Sequence, residues 1–185
     1  MQYEIIISGF GGQGALFAGQ LLAYAGLEEG KHVTWIPSYG PEMRGGTANC
    51  TIVVSDDEIG SPLVRQPSAA IVLNPPSFER YEPLVKPGGV LLSNASLNTT
   101  ISKRADIRVF DIRANDIATE MGAPQLANVI LLGALIGSLG VVRVETLDKV
   151  LDEHVSARHR DKIELNKQAL RRGMAIVREA QASRS

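Results

Sequence analysis

The chain places a glycine-rich turn directly between an apolar strand and a long helix. Residues 3–8 are rich in isoleucine, and residues 15–29 have the length and composition of a helix. Between them Gly9, Gly11 and Gly14 match the spacing G-x-G-x-x-G in the strand–turn–helix context that this motif requires. The N–H groups and the dipole at the start of a helix attract anions. The turn therefore predicts a site for a phosphate, a carboxylate or an acidic group of a partner.

The motif lacks one part of a dinucleotide-binding site. Such sites carry an acidic residue at the end of the second strand, where it binds the ribose hydroxyl. Here the second strand, predicted at residues 32–36, is followed by Pro37 and Ser38, and the first acidic residue after it is Glu42. The sequence therefore disfavours NAD or FAD. Glycines that serve only close packing of strand and helix are the simpler alternative.

The loop predicted at residues 37–46 is a second candidate binding segment, because it combines three glycines and two prolines with polar side chains. The planar guanidinium of Arg44 can clamp a carboxylate or a phosphate, or it can pair with Glu42 on the surface. We expect the strands before the glycine turn and before this loop to lie side by side, so that both segments meet at one rim of the sheet. The candidate site residues are Gly9, Gly11, Gly12, Gln13, Gly14, Tyr39 and Arg44.

Composition limits the remaining chemistry. With 185 residues, 21% charged residues and a net charge of −1, we predict one globular domain over residues 1–185 and no nucleic-acid partner. The single cysteine, Cys50, excludes an internal disulfide and an iron–sulfur cluster held by this chain alone; it is predicted to be a core residue. No histidine pair has metal-ligand spacing, and no catalytic residues can be assigned. The N-terminus lacks a basic segment, so we predict a cytoplasmic protein.

Strand and helix patterns alternate along the chain. We predict strands at residues 3–8, 32–36, 47–55, 69–73, 90–94 and 108–112, with a short edge strand at 59–62. Helices are predicted at residues 15–29, 75–82, 113–120, 125–140, 144–154 and 160–181. This order predicts an α/β fold: a single three-layer domain with a mainly parallel sheet, some antiparallel strands near residues 47–62, and a helical C-terminal part.

The apolar stretch at residues 126–142 is short for a membrane span, so we expect no membrane span and interpret it as a buried helix. We expect the outer face of this helix, at residues 126–139, to contact a partner chain, and a homodimer is one candidate assembly. The rim at residues 37–46 is the other candidate contact surface.

Four segments together resemble the gamma subunit of 2-oxoacid:ferredoxin (acceptor) oxidoreductases. They lie in the same order as in that family and cover nearly the whole chain. The version Tyr-Gly-Pro-Glu at residues 39–42 resembles the 2-oxoglutarate and branched-chain 2-oxoacid members. The four segments are GFGGQG at residues 9–14, SYGPEMRGGTANC at 38–50, ANVILLGA at 127–134 and ELNKQAL at 164–170.

The resemblance implies a multisubunit enzyme that converts a 2-oxoacid and coenzyme A (CoA) to acyl-CoA and CO2, with electron transfer to ferredoxin. In that family, alpha and beta subunits hold thiamine diphosphate with magnesium, and beta or a delta subunit holds iron–sulfur clusters. The gamma subunit has no redox centre and is inactive alone. The glycine turn and the Arg44 loop would serve assembly or shape the CoA or substrate end of the site. A stand-alone nucleotide-binding Rossmann-like enzyme, or a binding module, is the alternative.

Overall fold

The computed structural model describes residues 1–39, 46–154 and 162–183. Its six strands form one sheet in the order β2-β3-β1-β4-β5-β6. The strands are β1 (Gln2–Phe10), β2 (His32–Tyr39), β3 (Thr47–Ser55), β4 (Ala69–Val72), β5 (Val90–Asn94) and β6 (Arg108–Ile112). The helices are α1 (Ala15–Glu28), α2 (Pro75–Tyr81), α3 (Ala114–Glu120), α4 (Ala127–Leu139), α5 (Val144–His154) and α6 (Ile163–Ala182).

The sheet is mixed. β1, β4, β5 and β6 run parallel, and β3 runs antiparallel to both β1 and β2. The parallel strands β4 and β5 are buried on both faces, which explains the apolar runs at residues 69–72 and 90–92. The α/β fold with an antiparallel element at residues 47–55 is therefore confirmed.

Two predictions about the sheet were wrong. β1 and β2 do not lie side by side, because β3 is inserted between them and pairs with each. The edge strand predicted at residues 59–62 is absent: this exposed segment contains Gly60 and Pro62, which weaken a strand ladder. In addition, both edges of β3 are already occupied by β1 and β2.

Helices cover the two faces of the sheet unequally. The larger core lies between the sheet and α1, α4 and α6, and includes Ile7, Ile52 and Leu131. A smaller core on the opposite face is closed by Phe78 and Tyr81 of α2. Three layers result, as predicted.

The ends of two helices follow local capping chemistry. The side chain of Asn74 accepts a hydrogen bond from the N–H of Ser77 at 2.9 Å, which caps α2. α1 ends before Gly30, whose φ of 71° is the left-handed conformation that glycine favours at a helix end. The observed bounds of α1 and α2 lie within one residue of those predicted, 15–29 and 75–82.

The outer face of α4 is not available to a partner. Residues 127–136 of α4 are buried, and α6 packs along the helix through Leu170 and Gly173. The prediction that this face contacts another chain was therefore wrong. No helix within the described ranges is long and apolar enough to span a bilayer.

Candidate functional site

The glycine turn joins β1 to α1 and is tied to the start of β3. The Gly11 N–H donates to the Gly46 carbonyl at 2.8 Å, and the Gln13 N–H donates to the Phe10 carbonyl at 3.0 Å. Gly12 and Gly14 have φ values of 96° and 78°, which L side chains rarely adopt. β1 extends through Phe10, so Gly9 belongs to the strand and the turn is shorter than the motif predicted.

The glycines of the motif have different surroundings. A Cβ on Gly9 would lie 2.9 Å from the Leu73 side chain, and a Cβ on Gly14 would overlap the Asn128 amide. These two positions therefore require glycine for close packing, which is the simpler alternative stated above for the motif. A Cβ on Gly12 would meet nothing within 4 Å, so Gly12 presents its backbone to open space.

Gln13 connects the glycine turn to the end of β4. Its Oε1 accepts hydrogen bonds from the Phe10 N–H at 2.7 Å and from Asn74 Nδ2 at 3.0 Å. Because Asn74 also caps α2, the turn and α2 are held in one hydrogen-bonded network.

Asn128 holds the turn from the other side. This residue is only 3% exposed, and its Nδ2 donates to the Gly14 carbonyl at 2.9 Å. It belongs to the otherwise apolar first half of α4. The bond fixes the first residue of the turn–helix junction against the core.

Two further carboxamides, Asn94 and Asn115, lie at the carboxyl ends of the parallel strands, and the sequence analysis did not identify them. Asn94 is the last residue of β5 and is fully buried, and its Nδ2 donates to the Leu73 carbonyl and to Asn115 Oδ1. Asn115 lies at the start of α3, just after β6. The signal was present in the sequence, since an asparagine ends or closely follows three successive parallel strands, at positions 74, 94 and 115.

Two cavities flank the glycine turn, and Gly12 lines both. An open cleft of about 480 Å³ is mainly apolar and is lined by Phe10, Leu16 and Phe17. A smaller pocket of about 140 Å³ lies between the turn and the ends of β4 and β5. None of the described residues that line either cavity is charged.

The second predicted segment is only partly described. Tyr39 ends β2, so the loop predicted from residue 37 begins later than expected. In the sheet register, Ala48 of β3 pairs with Gly9 of β1 on one side and with Tyr39 of β2 on the other. Gly9 and Tyr39 therefore lie at the same end of the strands, separated by β3. Residues 40–45, which include Glu42 and Arg44, lie outside the described residues.

Cys50 lies in the core, as predicted. Burial raises the pKa of its thiol from 9.0 to about 12. Position 19 must be glycine, because a Cβ there would overlap the Cys50 sulfur. Within residues 1–39, 46–154 and 162–183, no group of three or more histidine, cysteine or acidic side chains could hold a metal ion.

Comparisons with known proteins agree with this architecture. The sequence profile of the family described as pyruvate ferredoxin/flavodoxin oxidoreductase matches residues 4–176. The 2-oxoglutarate synthase subunit KorC of Methanocaldococcus jannaschii is 34% identical over 182 residues, which cover 97% of this chain and 96% of KorC. The ketoisovalerate oxidoreductase subunit VorA of Methanothermobacter marburgensis is 38% identical over 144 residues, and the match covers 78% of this chain but only 30% of VorA.

A solved structure has the same fold. The gamma subunit of a keto/oxoacid ferredoxin oxidoreductase from Geobacter sulfurreducens superposes with a TM-score of 0.80 at 30% identity, and the match covers 95% of this chain and 98% of that subunit. The resemblance to gamma subunits is thereby confirmed. The profile match and the nearly full-length match to KorC show that this chain belongs to the pyruvate ferredoxin/flavodoxin oxidoreductase family.

Proposed function

We propose that this chain is the gamma subunit of a multisubunit 2-oxoacid:ferredoxin oxidoreductase. The complex would convert a 2-oxoacid and CoA into an acyl-CoA, CO2, a proton and two electrons, and the electrons would pass to ferredoxin. The substrate would be of the 2-oxoglutarate or 2-oxoisovalerate type. The observation that carries the proposal is the match to KorC over nearly the full length of both chains.

The redox chemistry would belong to partner subunits. An iron–sulfur cluster needs several thiolate ligands, and this chain has a single cysteine, which is buried. The magnesium that accompanies thiamine diphosphate prefers carboxylate ligands, and no described residue that lines the two cavities is acidic. The single cysteine and the described residues of these two cavities therefore do not fit those groups, and we assign the groups to the alpha, beta and, where present, delta subunits.

The role of this chain would be to complete the assembled active site. We propose that the glycine turn, Tyr39 and Arg44 contact CoA, the substrate or a partner subunit. The open backbone at Gly12 and the shared edge position of Gly9 and Tyr39 support a contact surface there. Arg44 would supply the positive charge that the described residues of the cavities lack.

Reconstitution tests the proposal. The chain is co-expressed with the gene products encoded beside it, and CoA-dependent reduction of ferredoxin is measured with 2-oxoglutarate, 2-oxoisovalerate and pyruvate. We expect turnover only when this chain and its partners are all present, with 2-oxoglutarate or 2-oxoisovalerate preferred. Turnover by the isolated chain would contradict the proposal, as would a complex whose activity and assembly do not change when this chain is omitted.

A further inference from the structure

We infer that a partner subunit docks on the outer side of α1 and covers it with an uncharged, apolar surface. This side, here called the α1 face, consists of Leu16, Phe17, Gln20, Tyr24 and Leu27. It borders the apolar cleft beside the glycine turn, because Leu16 and Phe17 also line that cleft. The inference rests on the proposed function, since it names the partner and the surface through which the proposed gamma subunit joins its complex.

α1 differs from an ordinary surface helix because it carries no charged residue from Ala15 to Leu27. A surface helix usually has a charged or polar outer side, whereas a helix that is apolar all round is usually buried. α6 of the same chain follows the usual pattern, since its exposed side carries Arg171, Arg172 and Glu179. The composition of α1 is therefore typical of a helix that is covered on both sides.

The described part of this chain covers only the inner side of α1. Ala18 and Leu22 are fully buried in the core, whereas Phe17 is 38% exposed and Leu27 is 56% exposed. At 3.6 residues per turn, the five positions of the α1 face lie within about 100° of the helix circumference, and Phe17 and Leu27 are about 15 Å apart along the axis. The exposed apolar side chains therefore form one continuous surface, which is typical of a protein contact.

The apolar cleft extends the α1 face beyond the first turn of the helix. Its volume is about 480 Å³, and the ring of Phe10, which is 36% exposed, lines it together with Phe17. None of the described lining residues is charged, so a charged group of a partner would lose its hydration there without gaining an ion pair. An aromatic or aliphatic side chain of the partner fits the cleft best, as in the buried anchors of stable interfaces.

The match to VorA indicates which partner covers the α1 face. The matched region is only 30% of VorA, so in that protein a domain of this family is covalently joined to a longer remainder. A domain that stays with its neighbour can bury an apolar surface permanently, and permanent interfaces are more hydrophobic than transient ones. The occupant of the α1 face is therefore the subunit whose sequence corresponds to the remainder of VorA, and a second copy of this chain is the competing occupant.

Charged substitutions that agree with the helix dipole test the α1 face. Phe17→Asp places an acidic residue in the first turn of α1, and Leu27→Lys places a basic residue in its last turn, so neither should weaken the helix. Phe17→Leu keeps an apolar side chain at the same position. Leu63→Asp is the matched control, because Leu63 is 79% exposed on the segment between β3 and β4 and does not line the cleft.

Each variant is co-expressed with the gene products encoded beside it, and the subunit that corresponds to the remainder of VorA carries an affinity tag. We expect Phe17→Asp and Leu27→Lys to reduce the amount of this chain that co-purifies at least fivefold. Phe17→Leu and Leu63→Asp should remain within twofold of the native chain. The melting temperatures of the lone variants should equal that of the native chain, which excludes misfolding as the cause of the loss.

Several results would overturn the inference. If Phe17→Asp and Leu27→Lys fold and co-purify like the native chain, the α1 face does not contact the partner. If light scattering then shows a dimer of the isolated native chain that both variants abolish, a second copy covers the face. If one charged variant does not fold, the other decides; if neither folds, the α1 face belongs to the core of this chain and the inference is wrong.

The native chain separates this inference from the proposed function. If the native chain does not assemble with the neighbouring gene products, the proposed function is contradicted, and the inference with it. If the native chain assembles and both charged variants assemble equally well, only the assignment of the α1 face is wrong.

Discussion

Gly133 of α4 lies directly against the backbone of Leu170 in α6: a Cβ atom at position 133 would overlap the Leu170 carbonyl oxygen. The contact is reciprocal, because a Cβ on Gly173 of α6 would overlap the Ile130 carbonyl oxygen of α4. The two helices therefore approach as closely as their backbones allow, and α6 shields the outer face of α4 from solvent.

Gly133→Ala and Gly173→Ala should each destabilise the fold by about 1–3 kcal/mol, because neither backbone carbonyl can move aside easily. This loss is net of the gain of up to about 1 kcal/mol that alanine brings to a helix. Gly60→Ala is the control: this exposed position has open space for a Cβ and should change stability by less than about 0.5 kcal/mol. Urea unfolding measures all three, and equal midpoints would refute the close helix contact.

Alanine variants of Gly12 and Gly30 distinguish an effect of backbone strain from an effect on function. Both have positive φ and open space for a Cβ, but Gly12 lies at the rim of the sheet and Gly30 at the far end of α1. Alanine at either position should cost about 1–2 kcal/mol of stability.

In the reconstituted complex, only Gly12→Ala should raise the Michaelis constant for CoA or the 2-oxoacid, or weaken assembly. Equal kinetics and assembly for the two variants would mean that Gly12 contacts nothing in the complex. Gly14→Ala should destabilise the fold more than either, because it adds a steric overlap with Asn128.

Cys50 should resist alkylation in the native protein. Burial raises the pKa of its thiol to about 12, so almost no thiolate is present at pH 8 and the sulfur is inaccessible. We expect iodoacetamide to modify it rapidly only after unfolding in urea, as followed by mass spectrometry. Rapid modification of the folded chain would contradict the burial of this side chain.

The same thiol predicts a pH dependence of stability. The pKa is higher in the folded state than in the unfolded state, so its contribution is complete below about pH 9 and decreases as the pH rises toward about 12. Between pH 8 and pH 10.5, the native protein should therefore lose more unfolding free energy than Cys50→Ala, which has no thiol to ionise. Parallel losses in the two proteins would show that other groups determine the alkaline limit.

Arg44→Ala should impair the assembled enzyme with little effect on the fold. Loss of a charge-assisted contact of roughly 1.5–3 kcal/mol would raise the Michaelis constant for CoA or the 2-oxoacid about ten- to hundredfold, or weaken assembly to a similar extent. Arg65→Ala is the control, because Arg65 is an exposed arginine on the segment between β3 and β4. Thermal melts of the two lone variants check folding. If the melting temperature falls strongly for Arg44→Ala but not for Arg65→Ala, Arg44 stabilises the fold and does not serve as a contact residue.

Local signals predicted the elements well and their arrangement less well. The bounds of β3, the start of α2 at Pro75 and the end of α1 before Gly30 each depend on a few neighbouring residues, and each was confirmed. The insertion of β3 between β1 and β2 depends on pairing between distant segments, for which no local pattern exists. The cover that α6 provides for α4 was missed for the same reason.

The candidate site was also predicted in part. The G-x-G-x-x-G spacing identified the turn, but it did not distinguish Gly9 and Gly14, which pack against Leu73 and Asn128, from Gly12, which faces open space. That difference depends on the side chains that approach from β4 and α4. Asn94 was missed because the asparagines at positions 74, 94 and 115 point to one edge only when β4, β5 and β6 are known to be neighbours in the sheet.

The contact between α4 and α6 has a consequence for folding during synthesis. The ribosome makes residues 127–139 before residues 163–182, so α4 can dock on the sheet while its second apolar face is still uncovered. Until α6 emerges, the nascent chain exposes the apolar face of α4 that carries Ile130, Gly133, Ala134 and Gly137, and uncovered apolar surface of this kind promotes aggregation. Release of a correctly folded subunit therefore depends on the arrival of α6.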